Sequence, residues 1–170
     1  TWSRLSETYQ ICDTGTTQSP IDLHTDDMVS SDALPPEFVK QQVTAPVFDY
    51  QPMPLQVLNT GRTIQVNADG NSFMRLDGDR FTLRQFHVHH PSEHRLDGDR
   101  FPLELHFVHR NEQGDLAVVA VLLKEGAANK TIDQVWRVMP QQPSDAGVTA
   151  KASVTSKKSV TETVVDPITL

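Results

Sequence analysis

The chain has 170 residues, 15 Lys+Arg against 22 Asp+Glu, a formal net charge of -7 and one cysteine. That length suits a single domain over residues 1–170 with its own core. The acidic balance excludes a nucleic-acid binder, which presents a basic face, and no apolar run is long enough for a helical membrane span.

A lone cysteine, Cys12, excludes an internal disulfide framework and a cysteine-rich zinc module. The chain opens on Thr1 with no secretory leader, so a processed, trimmed or excerpted polypeptide is expected. Prolines 20, 35, 36, 46, 52 and 54 forbid long helices early on, and extended loops with short strands are predicted there. Leu55–Leu58 and Thr63–Asn67 alternate apolar and polar residues, as half-buried strands do, with a turn over Asn59–Arg62.

The segment Arg75-Leu-Asp-Gly-Asp-Arg-Phe81 recurs as Arg95-Leu-Asp-Gly-Asp-Arg-Phe101. Asp-Gly between strand-like flanks predicts a hairpin turn, because both turn residues need positive φ. Two copies fall short of a solenoid and read as two similar hairpins. Each launches a strand, Phe81–His89 and Phe101–His109. Ala117–Leu123 is continuously apolar and predicts a central strand buried on both faces. Thr131–Met139 predicts a short helix, with Thr131-x-x-Gln134 as a capping box and Pro140 as its stop. The last thirty residues read as loop plus one edge strand around Val160–Val165.

Six of the seven histidines lie between His87 and His109. Residues two apart on a strand share a face, so His87 and His89 point together, beside Gln85. On the next strand Glu104, His106 and Val108 share a face. If those faces align, three imidazoles converge. Three nitrogen ligands with an open fourth position make a catalytic zinc site rather than a closed structural one. Gln85 and Glu104 sit where the second ring nitrogens of His87 and His106 need acceptors. His90 and Arg84 face the other way. His94 and His109 read as structural, and His24 as a loop residue. A rival reading takes His87-x-His89-x-x-x-Glu93 as a cupin iron or manganese motif, but the flanking glycines and the Pro-x-Gly of the second motif are misplaced or missing.

Gln18-Ser-Pro-Ile21, Leu58-Asn-Thr-Gly61, Thr63-Ile-Gln-Val66, Gln85-Phe-His-Val-His89, Ser92-Glu-His94, Glu104-Leu-His-Phe-Val-His109 and Leu116-Ala-Val118 occur in that order. Together they resemble the blocks of an α-class carbonic anhydrase of the bacterial, secreted type, from Trp2 to Trp136. The resemblance implies a mainly β (α+β) fold, with a large, twisted, mostly antiparallel central sheet and short peripheral helices. It implies zinc on His87, His89 and His106, with Gln85 and Glu104 as supporting acceptors. Val108 and Val118 would line the carbon dioxide pocket. Glu93 would be a buried glutamate orienting a threonine hydroxyl, which in turn orients hydroxide. The implied reaction is reversible hydration of carbon dioxide to bicarbonate and a proton, open to sulfonamide or anion inhibitors at zinc. The implied location is periplasmic or secreted.

Two departures shape what is expected. Arg62 stands at the family's proton-shuttle histidine position, and an always-protonated arginine cannot relay a proton. The sequence also lacks the family's Thr-Thr-Pro-Pro block, which carries the threonine partner of Glu93 and precedes the cysteine that would pair with Cys12. A sheet incomplete relative to the family is therefore expected, from truncation, a natural short form, or a form completed as a homo-oligomer. A non-catalytic zinc-binding relative acting as an interaction module is the alternative function.

Overall fold

The computed structural model of the chain describes residues 4, 6–27, 45–143 and 148–154, the last stretch as backbone. Short elements come first: a 3-10 turn at Glu7–Tyr9, helix α1 (Ile11–Thr14), strand β1 (Asp22–Leu23) and a second 3-10 turn at Thr25–Asp27. Strands β2 (Val47–Asp49), β3 (Met53–Asn59), β4 (Ile64–Asn67), β5 (Phe73–Leu76) and β6 (Asp79–His89) follow. Next come β7 (Arg95–Leu96), β8 (Asp99–Arg100), β9 (Leu103–Arg110), β10 (Leu116–Leu123), helix α2 (Lys130–Val138) and β11 (Val148–Val154).

One sheet dominates, in the order β10-β9-β6-β4-β3-β11, with β5 on the first half of β6 and β2 outside β5. Its pairings are antiparallel. A small sheet joins β1, β7 and β8, with β1 and β7 parallel. This is the mainly β architecture with short helices expected from the sequence.

The core lies on one face of the large sheet. Met53, Leu55 and Val57 alternate inward along β3 and meet Val66, Phe86 and Val135 of α2. Where β9 and β10 continue this face, an apolar cavity of about 120 Å³ remains among Leu105, Phe107, Val121, Leu123, Ile132 and Trp136. The opposite face carries the polar side chains of interest.

Both Asp-Gly turns adopt the expected backbone, with φ of 51° and 92° at Asp77 and Gly78, and 52° and 84° at Asp97 and Gly98. The second turn launches only the two-residue β8. Pro102 has no N–H to donate, and β9 starts after it.

Other sequence expectations need correction. Leu116–Leu123 is an edge strand: among the described residues its only partner is β9, and Leu116 and Val118 are 65% and 53% exposed. Continuous apolarity cannot distinguish a central strand from an edge whose outer side is unpaired. The cap of α2 is Asn129, whose Oδ1 accepts from Thr131 N and Ile132 N at 2.9 and 3.1 Å. The strand around Val160–Val165 lies outside the described residues. β11, which pairs with β3, was not foreseen.

Candidate metal centre

A single bulge sets up the site. β6 and β9 shift register between Leu83 and Gln85. Leu83 pairs with His109 on the core side, while Gln85 pairs with Val108 on the polar side. Uninterrupted alternation would have put Leu83 and Gln85 on the same face. Beyond the bulge, Gln85, His87 and His89 share the polar face, and His87 stands opposite His106.

The three rings cluster tightly. Centroids are 4.9 Å apart for His87–His89, 5.3 Å for His87–His106 and 4.5 Å for His89–His106. One nitrogen from each lies within 4.8 Å of the others. His87 Nδ1 donates to Gln85 Oε1 at 2.8 Å, which leaves Nε2 bare. His106 Nε2 donates to Glu104 Oε1 at 2.8 Å, which leaves Nδ1 bare. His89 Nε2 is buried and makes no hydrogen bond. An orphaned buried nitrogen among two bare ones is a donor set that suits a metal ion. Burial lowers the pKa of His87, helped by the neighbouring His89 and His106, and burial likewise lowers that of His89. Both are held in the neutral form that ligates.

Glu104 is fully buried. Its Oε2 accepts Glu93 N and His94 N at 2.7 and 3.0 Å, and its Oε1 accepts His94 Nδ1 as well as His106 Nε2. Burial alone would raise its pKa. The hydrogen bonds from His106 and His94 outweigh that and hold it down to about 2. His94 therefore belongs to the support of His106, and its Nε2 reaches Ser19 Oγ at 3.2 Å. Buried Ser92 closes the adjoining turn, donating to His94 O and accepting from Phe101 N at 2.7 and 2.9 Å. Sequence reasoning missed Ser92, although the Ser92-Glu-His94 block pointed to it.

Val108 and Val118 are cross-strand partners on the histidine face, the first half-buried and the second exposed. Arg62 is exposed and lines a shallow depression with His90, Val88 and Trp136 that includes none of the three histidines. Cys12 is free and exposed in α1. Glu93 is not the buried residue expected: its side chain is 43% exposed, and Oε2 lies 3.4 Å from His89 Nε2 and 3.9 Å from His106 Nδ1.

A curled, mostly antiparallel sheet carrying three converging imidazoles on one face has the architecture of α-class carbonic anhydrases. The profile described as eukaryotic-type carbonic anhydrase matches residues 1–162, and the chain belongs to that family. It is 39% identical to a carbonic anhydrase of Nostoc sp. over 140 residues, which is 82% of this chain and 50% of that protein. A carbonic anhydrase of Pectobacterium carotovorum is 39% identical over 145 residues, 85% of this chain and 54% of the relative. The solved complex of an α-carbonic anhydrase from Thermovibrio ammonificans with sulfanilamide superposes with a TM-score of 0.78 at 37% identity, covering 91% of this chain and 64% of that one. The chain thus spans about half the length of the curated relatives it matches. Family membership removes the cupin reading.

Proposed function

We propose that this chain carries the zinc-binding part of a carbon dioxide hydration site, with His87, His89 and His106 as ligands. The observation that carries this reading is the three histidines, each offering one ring nitrogen within 4.8 Å of the others, with the buried His89 Nε2 left without a hydrogen bond. When bound, zinc would supply a nucleophile near neutrality by lowering the pKa of water to about 7, a value for which carbonic anhydrases are themselves the standard example and which is not obtained from this structure.

The chain's own residues do the rest. Gln85 and Glu104 fix which nitrogen of His87 and His106 carries the proton, and so aim the other at the metal. Val108 and Val118 offer an apolar wall suited to an uncharged substrate. Arg62 cannot relay the released proton, so export would fall to buffer, and Arg62→His is expected to raise turnover in weak buffer.

The test is stopped-flow hydration of carbon dioxide by the zinc-loaded chain, with and without sulfanilamide. Hydration that the sulfonamide blocks supports the reading. Zinc bound at one ion per chain without hydration favours a non-catalytic interaction module instead. Among the described residues no helix is long and apolar enough to cross a membrane. A periplasmic or secreted location is proposed on the resemblance to the secreted bacterial type.

A further inference from the structure

Val88 lies on β6 between His87 and His89, and its backbone is matched by a side chain rather than by a strand. Across β4 the ladder runs Asn67–Gln85, Val66–Phe86 and Gln65–His87, and then stops. Ile64 would stand opposite Val88 next, but the two are not paired. Thr63 takes that place. Its Oγ1 donates to Val88 O and accepts from Val88 N at 3.2 Å. One hydroxyl thus serves both the donor and the acceptor of a single residue, as a neighbouring strand otherwise would. Ile64 O, at 3.3 Å, is a longer alternative for the same proton. The turn before β4 holds Thr63 in position. Thr60 N and Thr60 Oγ1 donate to Thr63 O at 3.0 and 3.1 Å, and Thr63 N donates to Thr60 Oγ1 at 3.1 Å. A threonine beside a strand is often there for its β-branched fit alone. A hydroxyl paired twice with one residue has a further use.

We propose that Thr63 is a positioning residue for the metal ligands, its hydroxyl holding the His87-Val88-His89 backbone where the β4–β6 ladder ends. This rests on the three-histidine reading and deepens it. The N–H of Val88 belongs to the peptide unit that joins it to His87, and its C=O to the unit that joins it to His89. Each unit is planar, so fixing both fixes the directions in which the two histidine side chains leave the strand. A shift at Val88 would move both rings at once. Gln85 orients the ring of His87. The buried Nε2 of His89 has no such partner, so the place of that ring depends more on its backbone. The same hydroxyl ties the Thr60–Thr63 turn, which carries Arg62, to the strand of the ligands.

The experiment titrates zinc into the metal-free chain against a chelator, comparing wild type with Thr63→Val, Thr63→Ser and His106→Ala. A second arm loads cobalt into the same proteins and records its visible absorption, which reports the geometry of the ligand set. Urea unfolding of the metal-free proteins reads stability separately. Thr63→Val keeps the shape and removes the hydroxyl, whereas Thr63→Ser keeps the hydroxyl and removes the methyl group. Thr63→Val should bind zinc about tenfold more weakly, the low end of the loss when a group supporting metal ligands is removed. Its cobalt bands should shift, and Thr63→Ser should match wild type in both arms. Wild-type zinc affinity and cobalt bands in Thr63→Val would overturn the positioning role, even with a lower urea midpoint, because a merely structural threonine gives that result. Weakening by Thr63→Ser equal to that by Thr63→Val would overturn it too, as would failure of Thr63→Val to fold. Each of these outcomes leaves the three-histidine site standing. No zinc binding by wild type, or full binding by His106→Ala, would bring down both.

Discussion

His87 on β6 stands directly across from His106 on β9, with ring centroids 5.3 Å apart. Each ring is turned by an acceptor two residues earlier on its own strand, Gln85 for His87 and Glu104 for His106. The cross-strand pair therefore aims two bare nitrogens at one point from two separate strands. Removing either ring leaves two histidines that come from a single strand or a diagonal pair. His106→Ala should lose most bound zinc, and elemental analysis of the purified protein checks it. Retention of stoichiometric zinc would contradict the ligand assignment.

Glu104 ties the candidate metal site to the buried part of the fold, accepting from His106, His94 and the Glu93 backbone while fully buried. Replacing it with Gln removes the charge that accepts four donors and turns an NH2 group toward at least one of them. Zinc affinity should fall about 10–100-fold, as when a carboxylate behind a ligating histidine is lost. The metal-free protein should also lose stability, because buried donors lose their acceptor. Chelator competition and urea unfolding read the two effects separately.

Acid should destabilise the metal-free chain in two stages. Burial lowers the pKa of His87, His89 and His109 in the folded protein below their ordinary value of 6.5. The unfolded chain then binds more protons, so stability is full above about pH 6.5 and falls as pH drops below it. Glu104, depressed from 4.5 to about 2, adds a second loss across that lower window. Urea midpoints measured in chelator from pH 7.5 to 4.5 should show the first stage. His109→Gln should flatten it, because it removes a ring whose burial opposes protonation in the folded chain.

Asn129 and Thr131 make opposite predictions about where α2 begins. Asn129→Ala should cost about 0.5–2 kcal/mol, the usual loss of a side-chain cap. Thr131→Ala should cost much less, since the hydroxyl caps nothing in the structure. Thermal melts of the two variants side by side decide it.

Leu55 is fully buried in the middle of β3. Leu55→Ala should cost about 2–5 kcal/mol, the range for emptying a packed core site. A smaller loss, read by urea unfolding, would mean that the face under α2 collapses readily around the void.

What could be read from the sequence follows a physical divide. The histidine cluster was legible because the two-residue period of a strand is fixed by backbone geometry, and H-x-H with E-x-H needs only that period. The Asp-Gly turns were legible because positive φ is a property of two adjacent residues. The bulge at Arg84 was not: one extra residue is accommodated by its neighbours on β9, and nothing in Leu83-Arg-Gln85 announces it. Asn129 lost out to Thr131 because both are good capping types and local sequence does not choose between them. The turned-in carboxylate of Glu93 was out of reach too, since its direction depends on which groups surround it rather than on its place in a motif.

The edge formed by Leu116–Leu123 has a practical consequence. Eight consecutive residues carry no charge and no proline, and the outer side of this strand meets no other described strand. Natural sheets guard such edges with lysine, proline or a covering segment, because an open ladder of backbone donors and acceptors recruits other strands. Where nothing covers it, a stretch of this kind is a template for aggregation. Leu116→Lys, at the end of the strand opposite Arg110 and four residues from the Ala120 that pairs with His106, should raise the concentration at which light scattering first appears.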